Sequence, residues 1–505
     1  MWRFCRWCSR WVVGFARIGD MSRFKVPDRD QGRVEMVSLR EQVDPGYAVW
    51  TVIEVVESFD LSEIYARYEP LSSGGRKAYD PKMMLSLLVF GYCEGKRTSR
   101  ELEAACRRDV VYSMITGGMT PDHATIAKFR QVTDDVIEDL FLHVLEACSE
   151  AGLVKVGRVA VDGTRMAGAG SLDANRSVSS LNDLETEIRS ILDAAEAADV
   201  LDAATGSIDS HKPEPDPDPD PESGLSVRRR VALEDKLGRV VQAQGAMLDA
   251  VERRLVSDKH HGKPSRGEVK VNVTDPESRL QKTRRGWIQG YNAQVVVSQD
   301  QIVVAAHVTP KSTDVEMLIP MIDLTTENLT LVGVTDPVGH VLADAGYWSA
   351  DNFRFEETST STLLIATKNR HTKTKPVDPE RVTDKTRARL VMEQRLADPD
   401  TKKLYRCRAP QVEGSFAHTK TRRRTASFLR VGLEAVNAEW KLTNLAGNLM
   451  KLALHHTRQT SPPLHQPPEP ENHSERGCLR RVISQYWRPS PFNHPKPHHI
   501  GQPAS

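Results

Sequence analysis

Between residues 27 and 150 the apolar positions recur at helical spacing: Val52, Val55, Val56 and Phe59, then Ile64 and Tyr68. Asp80-Pro81 reads as an N-cap followed by proline at the first helical position, opening the apolar run MMLSLLVFGY. Thr98 or Ser99 is placed to cap RELEAACRR, with Glu101 set for a capping box. Gly117-Gly118 breaks the pattern, and Thr120-Pro121 starts another helix through TPDHATIAKFRQ. Short helices with tight breaks resemble a helix-turn-helix bundle, whose last helix would present His123, Thr125, Lys128 and Arg130 on its polar face. DNA contact is the expectation there, and a plain helical bundle is the competing reading. Residues 94–130 carry only 7 basic against 5 acidic side chains, so charge alone does not decide between them.

At residue 158 the period changes. RVAVDGTRM reads as a short apolar strand ending at Asp162-Gly163, followed by a helical, acidic stretch and then HKPEPDPDPDPES. Alternating proline and aspartate neither packs nor pairs as a strand, so this is an extended, self-repelling linker. A second charged helix is expected over about 225–257. YNAQVVVSQD and QIVVAAHVTP then form a hairpin-like pair of strands broken near Gln299-Asp300-Gln301. A helix from Thr313 to about Leu324, the strand HVLADAGY, a helix near 349–357 and the strand TLLIAT follow, and the remainder to His456 reads as helical. The order predicts a mixed α/β sheet with carboxylates at strand ends, where chemistry usually sits in open α/β sheets.

Charge sharpens the picture. The net charge is +1, yet residues 182–222 hold 13 acidic against 2 basic side chains and residues 368–430 hold 18 basic against 7 acidic. A basic stretch is the footprint expected of a polyanion partner, although runs of lysine and arginine also merely solvate helices. No window offers the ~18 uninterrupted apolar residues of a membrane span. The seven cysteines are scattered, with Cys5 and Cys8 as a lone CxxC, which predicts a reduced, cytoplasmic protein.

Three carboxylates stand out. Asp162 and Asp344 each follow apolar strand residues and precede a small-residue turn, Gly163 and Ala345-Gly346. A carboxylate in such a setting needs a cation, a metal or an arginine, and two of them suit a hard divalent cation. Two-metal phosphoryl chemistry calls for a third, and Glu413 in LYRCRAPQVEGSFAHTKTRRR is the candidate. A continuous helix would put Arg406, Glu413 and Lys420, seven apart, on one face. Each residue also has a plain reading: a turn, a helix cap and an exposed helical position.

The blocks YDPKMMLSLLVFGYCEGKRTSRELE, TPDHATIAKFR, VAVDGTRMAGAGS, RRGWIQGYNAQVVVSQDQIVVAAHVTP, LADAGYWSADNF and YRCRAPQVEGSFAHTKTRRR resemble the DDE transposases of bacterial insertion sequences, which have an RNase H-like catalytic core. The resemblance covers roughly 22–456. It implies a catalytic, metal-binding triad of Asp162, Asp344 and Glu413 holding two Mg²⁺ ions, with Mn²⁺ as a substitute. It implies DNA as partner, both terminal inverted repeats and target, contacted by His123, Lys128, Arg130, Tyr405, Arg406, Arg408, Lys420, Arg422, Arg423 and Arg424. Trp287 and Trp348 are candidates for stacking on an unpaired base. A homodimer on DNA, no membrane, and a place at the bacterial nucleoid complete the expectation. An immobile or domesticated nuclease and a DNA-binding regulator are the alternatives.

The expected organisation is a leader over 1–26, a helical DNA-binding domain over 27–154, a catalytic domain over 155–456 with an insert at about 176–285, and a Pro/His-rich tail over 457–505 unlike the usual end of such proteins. One spacing departs from the family. Four residues separate Arg408 from Glu413 where three are usual, which leaves Arg406 and Arg408 as alternatives for the arginine beside the carboxylates.

Overall fold

The computed structural model describes residues 38–68, 77–205, 226–262, 267–367 and 383–460. The expected leader, the Cys5/Cys8 pair, the Pro-Asp linker and the chain beyond 460 lie outside the described residues.

The helical block consists of α1 (Val49–Ser58), α2 (Ser62–Tyr68), α3 (Pro81–Glu94), α4 (Ser99–Arg108), α5 (Val110–Ile115), α6 (His123–Val132) and α7 (Ile137–Glu150). Local chemistry sets its boundaries. Asp80 caps α3 by accepting from the Met83 amide, with Pro81 at the first helical position. Thr98, not Ser99, caps α4, and Glu101 closes the reciprocal capping box. Asp122 caps α6, so that helix begins two residues beyond Thr120-Pro121. α3 is buried almost all round, which an apolar helix requires in the centre of a bundle.

The sheet follows: β1 (Arg158–Ala167), β4 (Arg279–Thr283), β5 (Gly286–Ser298), β6 (Val303–Thr309), β7 (His340–Ala343) and β8 (Thr362–Ile365). β1 is central. It pairs antiparallel with β5 on one side and parallel with β7 on the other. β8 extends the parallel side beyond β7, while β6 and β4 pair antiparallel with successive parts of β5. This is the mixed α/β sheet expected from the pattern, with β4 as an additional strand in a hairpin through Arg284-Arg285. α10 (Leu318–Leu331) and α11 (Ala350–Phe355) connect these strands. α10 begins later than Thr313 because a 3₁₀ turn precedes it.

The C-terminal part holds α12 (Asp384–Ala397), α13 (Pro399–Arg406), α14 (Arg408–Ala417), a π turn (His418–Arg422) and α15 (Leu433–Thr460). One hydrophobic core runs from the helical block through the sheet to α15, joining Leu85, Tyr92 and Leu145 with Val161, Val295, Leu342 and Trp440. Trp440 is fully buried and donates its indole N–H to the Gln294 carbonyl, 2.9 Å away. Each large side chain so buried contributes about 1.5–3 kcal/mol.

The insert is built differently. β2 (Asn175–Arg176) and β3 (Val271–Asn272) form a two-stranded base for a helical hairpin of α8 (Val178–Thr205) and α9 (Val227–His261). Leu181 and Ile188 of α8 pack on Val240, Ala243 and Met247 of α9 as a separate small core. Among the described residues no helix is long and apolar enough to cross a membrane.

Candidate active site

The parallel register of β1 and β7 ends with Ala160 opposite Leu342. Two residues further along each chain stand Asp162 and Asp344, side by side at the carboxyl end of β7 in the middle of the sheet. Asp344 accepts from the Gly346 amide at 2.7 Å and so caps the short 3₁₀ turn after β7. Asp162 does not end its strand as expected. β1 continues to Ala167, because Gly163–Ala167 keep pairing with Gln294–Gly290 of β5.

Gly163 is small for a reason other than a turn. A Cβ there would lie 2.7 Å from Asp314 Oδ1 and 3.0 Å from Asn292 Oδ1. Side chains alternate along a strand, so these groups stand on the face of β1 opposite the Asp162 carboxylate. Asp314 Oδ1 accepts from Asn292 Nδ2 at 2.7 Å and from Gln294 Nε2 at 2.8 Å, and Tyr347 donates its hydroxyl to Gln294 Oε1. This network ties the hairpin strand, the loop before α10 and the turn after Asp344 together behind the carboxylates. Sequence reasoning gave Asn292, Gln294, Asp314 and Tyr347 no role. The visible signal was two amides at alternate positions within an otherwise apolar strand, GYNAQVVV.

α14 crosses the Asp162 face. The helix expected across 405–420 is interrupted at Cys407, which lies between the end of α13 and Arg408. That break decides between the two arginines. Arg408 Nη1 is 3.1 Å from Asp162 Oδ2, whereas Arg406 is exposed. Gln411 anchors the helix, donating to the Val297 carbonyl at 2.7 Å. Tyr405 donates to the Ala343 carbonyl at 3.1 Å, next to Asp344. Lys420 reaches Thr164 on the same face of β1, 2.5 Å away.

Burial pushes the Asp162 carboxyl up to about 6; Arg408 pulls it down and the Asp344 charge adds to the rise. Burial works against the Arg408 charge, but Asp162, Tyr405 and Asp344 outweigh it and raise its pKa. The site therefore sets a buried carboxylate, Asp162, beside a second one, Asp344, with the Arg408 guanidinium against the first. Glu413 is exposed on α14 between Arg408 and Lys420 and makes no hydrogen bond or ion pair among the described residues. Among those residues no group of three or more His, Cys, Asp or Glu side chains is arranged to hold a metal ion. Asp162 and Asp344 are brought together; the third carboxylate is not joined to them.

A family model for a transposase domain (DUF772) matches residues 37–132, and a model for a transposase DDE domain matches residues 366–453. The two matches support a DDE transposase of an insertion sequence. No curated protein and no solved structure matches the chain. The first match covers α1–α6 and the second covers Tyr405, Arg408, Glu413 and Lys420.

The remaining expected DNA contacts divide by exposure. In the helical block Lys128 is exposed, and His123 is exposed but paired with Glu103 at 2.8 Å. Arg130 is buried, donates to the Arg97 carbonyl at 2.7 Å and stands over the Tyr92 ring. Arg423 is buried against Thr419 and Gly447. Neither guanidinium faces solvent, so phosphate contact by Arg130 and Arg423 is corrected to internal support. Arg422 and Arg424 are exposed, and Arg424 pairs with Glu101 at 3.5 Å. Trp287 is 56% exposed at the start of β5, while Trp348 packs against Phe353 and the core.

Proposed function

We propose that the protein binds the terminal inverted repeats of its element and catalyses Mg²⁺-dependent hydrolysis and strand transfer of phosphodiesters at Asp162, Asp344 and Glu413. The observation that carries this reading is the placement of Asp162 beside Asp344 across the β1–β7 parallel pair. The strand order β6-β5-β1-β7-β8, antiparallel on one side of β1 and parallel on the other, supports an RNase H-like core.

The donor set suits a hard divalent cation. Two neighbouring carboxylates supply oxygen ligands, and Asp162, whose carboxyl is raised mainly by burial despite the guanidinium beside it, would gain from a cation. Divalent ions held there, two of them with Glu413 as the added ligand, would lower the pKa of an attacking water or 3′-hydroxyl and neutralise the leaving oxygen. Arg408 keeps the Asp162 carboxylate oriented across β1. Tyr405 fixes the end of α13 to the last residue of β7 and so holds Arg408 in reach. Lys420, Arg422 and Arg424 face outward and contact phosphates, giving an affinity that falls steeply with salt. Lys128 and His123 of α6 lie on the face offered to the repeat, and Trp287 offers a ring for an unpaired base. Two ends require two carboxylate sites, so the protein acts as a pair of copies on DNA.

The test is cleavage and joining of DNA carrying the element's ends, in Mg²⁺ or Mn²⁺, by the wild type, Asp162→Asn, Asp344→Asn and Glu413→Gln. Loss of cleavage in all three with end binding retained is the expected result. Activity surviving Glu413→Gln would remove Glu413 from the site. Specific end binding without any wild-type cleavage would leave a DNA-binding regulator.

A further inference from the structure

The insert hairpin leaves one face of α9 bare. Leu248 and Leu255 are 73% and 64% exposed, and Val231 and Val241 about half exposed. These residues belong to a regular series. Val231, Glu234, Gly238, Val241, Gly245, Leu248, Glu252, Leu255, Lys259 and Gly262 alternate steps of three and four, the a/d spacing of a coiled-coil seam. All ten are exposed. The neighbouring series Leu237, Val240, Gln244, Met247 and Val251 is the one used against α8. Among the described residues α9 therefore carries two seams and has a partner for one.

The glycines are the second clue. A Cβ at Gly238 or Gly245 would meet open space, so nothing among the described residues requires glycine at either position. Glycine is among the poorest residues for a helix interior. It earns its place where another helix must approach closely or where a large side chain needs a hole.

We infer that this seam pairs antiparallel with the same seam of a second copy, about a two-fold axis. Antiparallel coiled coils set a positions against d′ positions, and one register accounts for the whole series. In it Gly245 faces Leu248 of the other copy and Gly238 faces Leu255, so each of these layers matches a hole with a knob, while Val231 falls opposite Gly262, the cap that ends the helix. The same register sets Glu234 against Lys259, which supplies charge complementarity at both ends of the seam. Only Val241 against Glu252 is mismatched, and a single polar residue in such a seam fixes register at some cost in stability. A parallel pairing would set Glu234 on Glu234, Glu252 on Glu252 and Lys259 on Lys259, with gaps wherever glycine meets glycine. The two hairpins joined in this way form a four-helix bundle. The inference gives a surface to the pairing of copies proposed above and does not depend on the chemistry.

The test is the mass of the full-length protein by sedimentation velocity, with and without end DNA. The wild type is expected to be dimeric without DNA, and Leu248→Asp/Leu255→Asp monomeric at the same concentration with an unchanged far-ultraviolet spectrum. Glu234→Lys and Lys259→Glu should each weaken the dimer at least threefold, and their combination should restore it. A mixture of Gly245→Cys and Leu248→Cys copies should oxidise to a covalent dimer, against a wild-type control for the native cysteines. A dimer that survives Leu248→Asp/Leu255→Asp overturns the seam while leaving the paired state intact. So does a protein that is monomeric when free and dimeric on DNA. A monomer under both conditions overturns the seam and the pairing together. Failure of the charge swap to rescue overturns the register.

Discussion

Replacing Asp162 by asparagine should make the protein more stable at neutral pH, although it removes an ion pair. Burial holds the Asp162 carboxyl at about 6 against an ordinary 3.8. The difference is about two units, each worth 1.36 kcal/mol, so ionised Asp162 costs the fold up to about 3 kcal/mol. The favourable pull of Arg408 is already contained in that figure. Between pH 4 and 6 the native protein holds a proton that the unfolded chain has released. Stability from this group is therefore fully present below about pH 4 and lost as pH rises through 6. Asparagine, like the protonated acid, carries no charge to desolvate, and the loss of the Arg408 ion pair is common to both, so the gain is not reduced a second time. The expected net is a stabilisation of up to about 3 kcal/mol at pH 7.5, or roughly 1–3 °C in Tm for a chain of this size. Thermal and urea melts of both proteins in chelator, from pH 4 to 8, measure it. The advantage of Asp162→Asn should shrink steadily below pH 6 and vanish near pH 4. Added Mg²⁺ should then raise the Tm of the wild type and leave the variant unchanged. An Asp162→Asn protein less stable than wild type at pH 7.5, or a difference independent of pH, would refute the argument.

Two further substitutions probe the support behind the carboxylates. Glu439→Gln breaks the buried pair with Arg97 and weakens acceptance from the Leu429 and Arg430 amides. Unfolding by urea should show a loss of about 3 kcal/mol, because it strands a buried guanidinium. Gly163→Ala inserts a methyl group among Gln294, Asp314 and Asn292. It should cost about 1–3 kcal/mol by overpacking and abolish cleavage while end binding persists; full activity in this variant would mean that the amide network has no part in holding the carboxylates.

Features governed by near neighbours in the chain were the legible ones. The caps at Asp80 and Thr98 depend on residues three positions away, and the apolar flanks announced a strand at Asp162 and a strand meeting a turn at Asp344. What escaped depends on partners far along the chain. Nothing near Asp162 says that β1 runs on to Ala167; β5, more than a hundred residues later, supplies that pairing. Arg130 and Arg423 read as exposed cations because helical phase does not reveal which tertiary neighbour covers a face. Asp314 was invisible for the same reason, since Asn292 and Gln294 give it its place. The interruption at Cys407, by contrast, has a local cause that went unread: Pro410 offers no N–H to the Arg406 carbonyl and crowds it, so a new helix starts at Arg408.

The core that joins the first helices to the sheet and to α15 also makes the protein a ruler. Arg97 bonds the carbonyls of Arg424 and Ser427, and Arg430 grips Asp134. One continuous core joins Ile126 and Phe129 of α6 to the strands bearing Asp162 and Asp344, so close-packed side chains set the span from one to the other. Any DNA that touches both is measured against that fixed span. If the protein cuts DNA as proposed, substitutions in the interior, far from either surface, should shift the position of a cut along a strand before they reduce its rate.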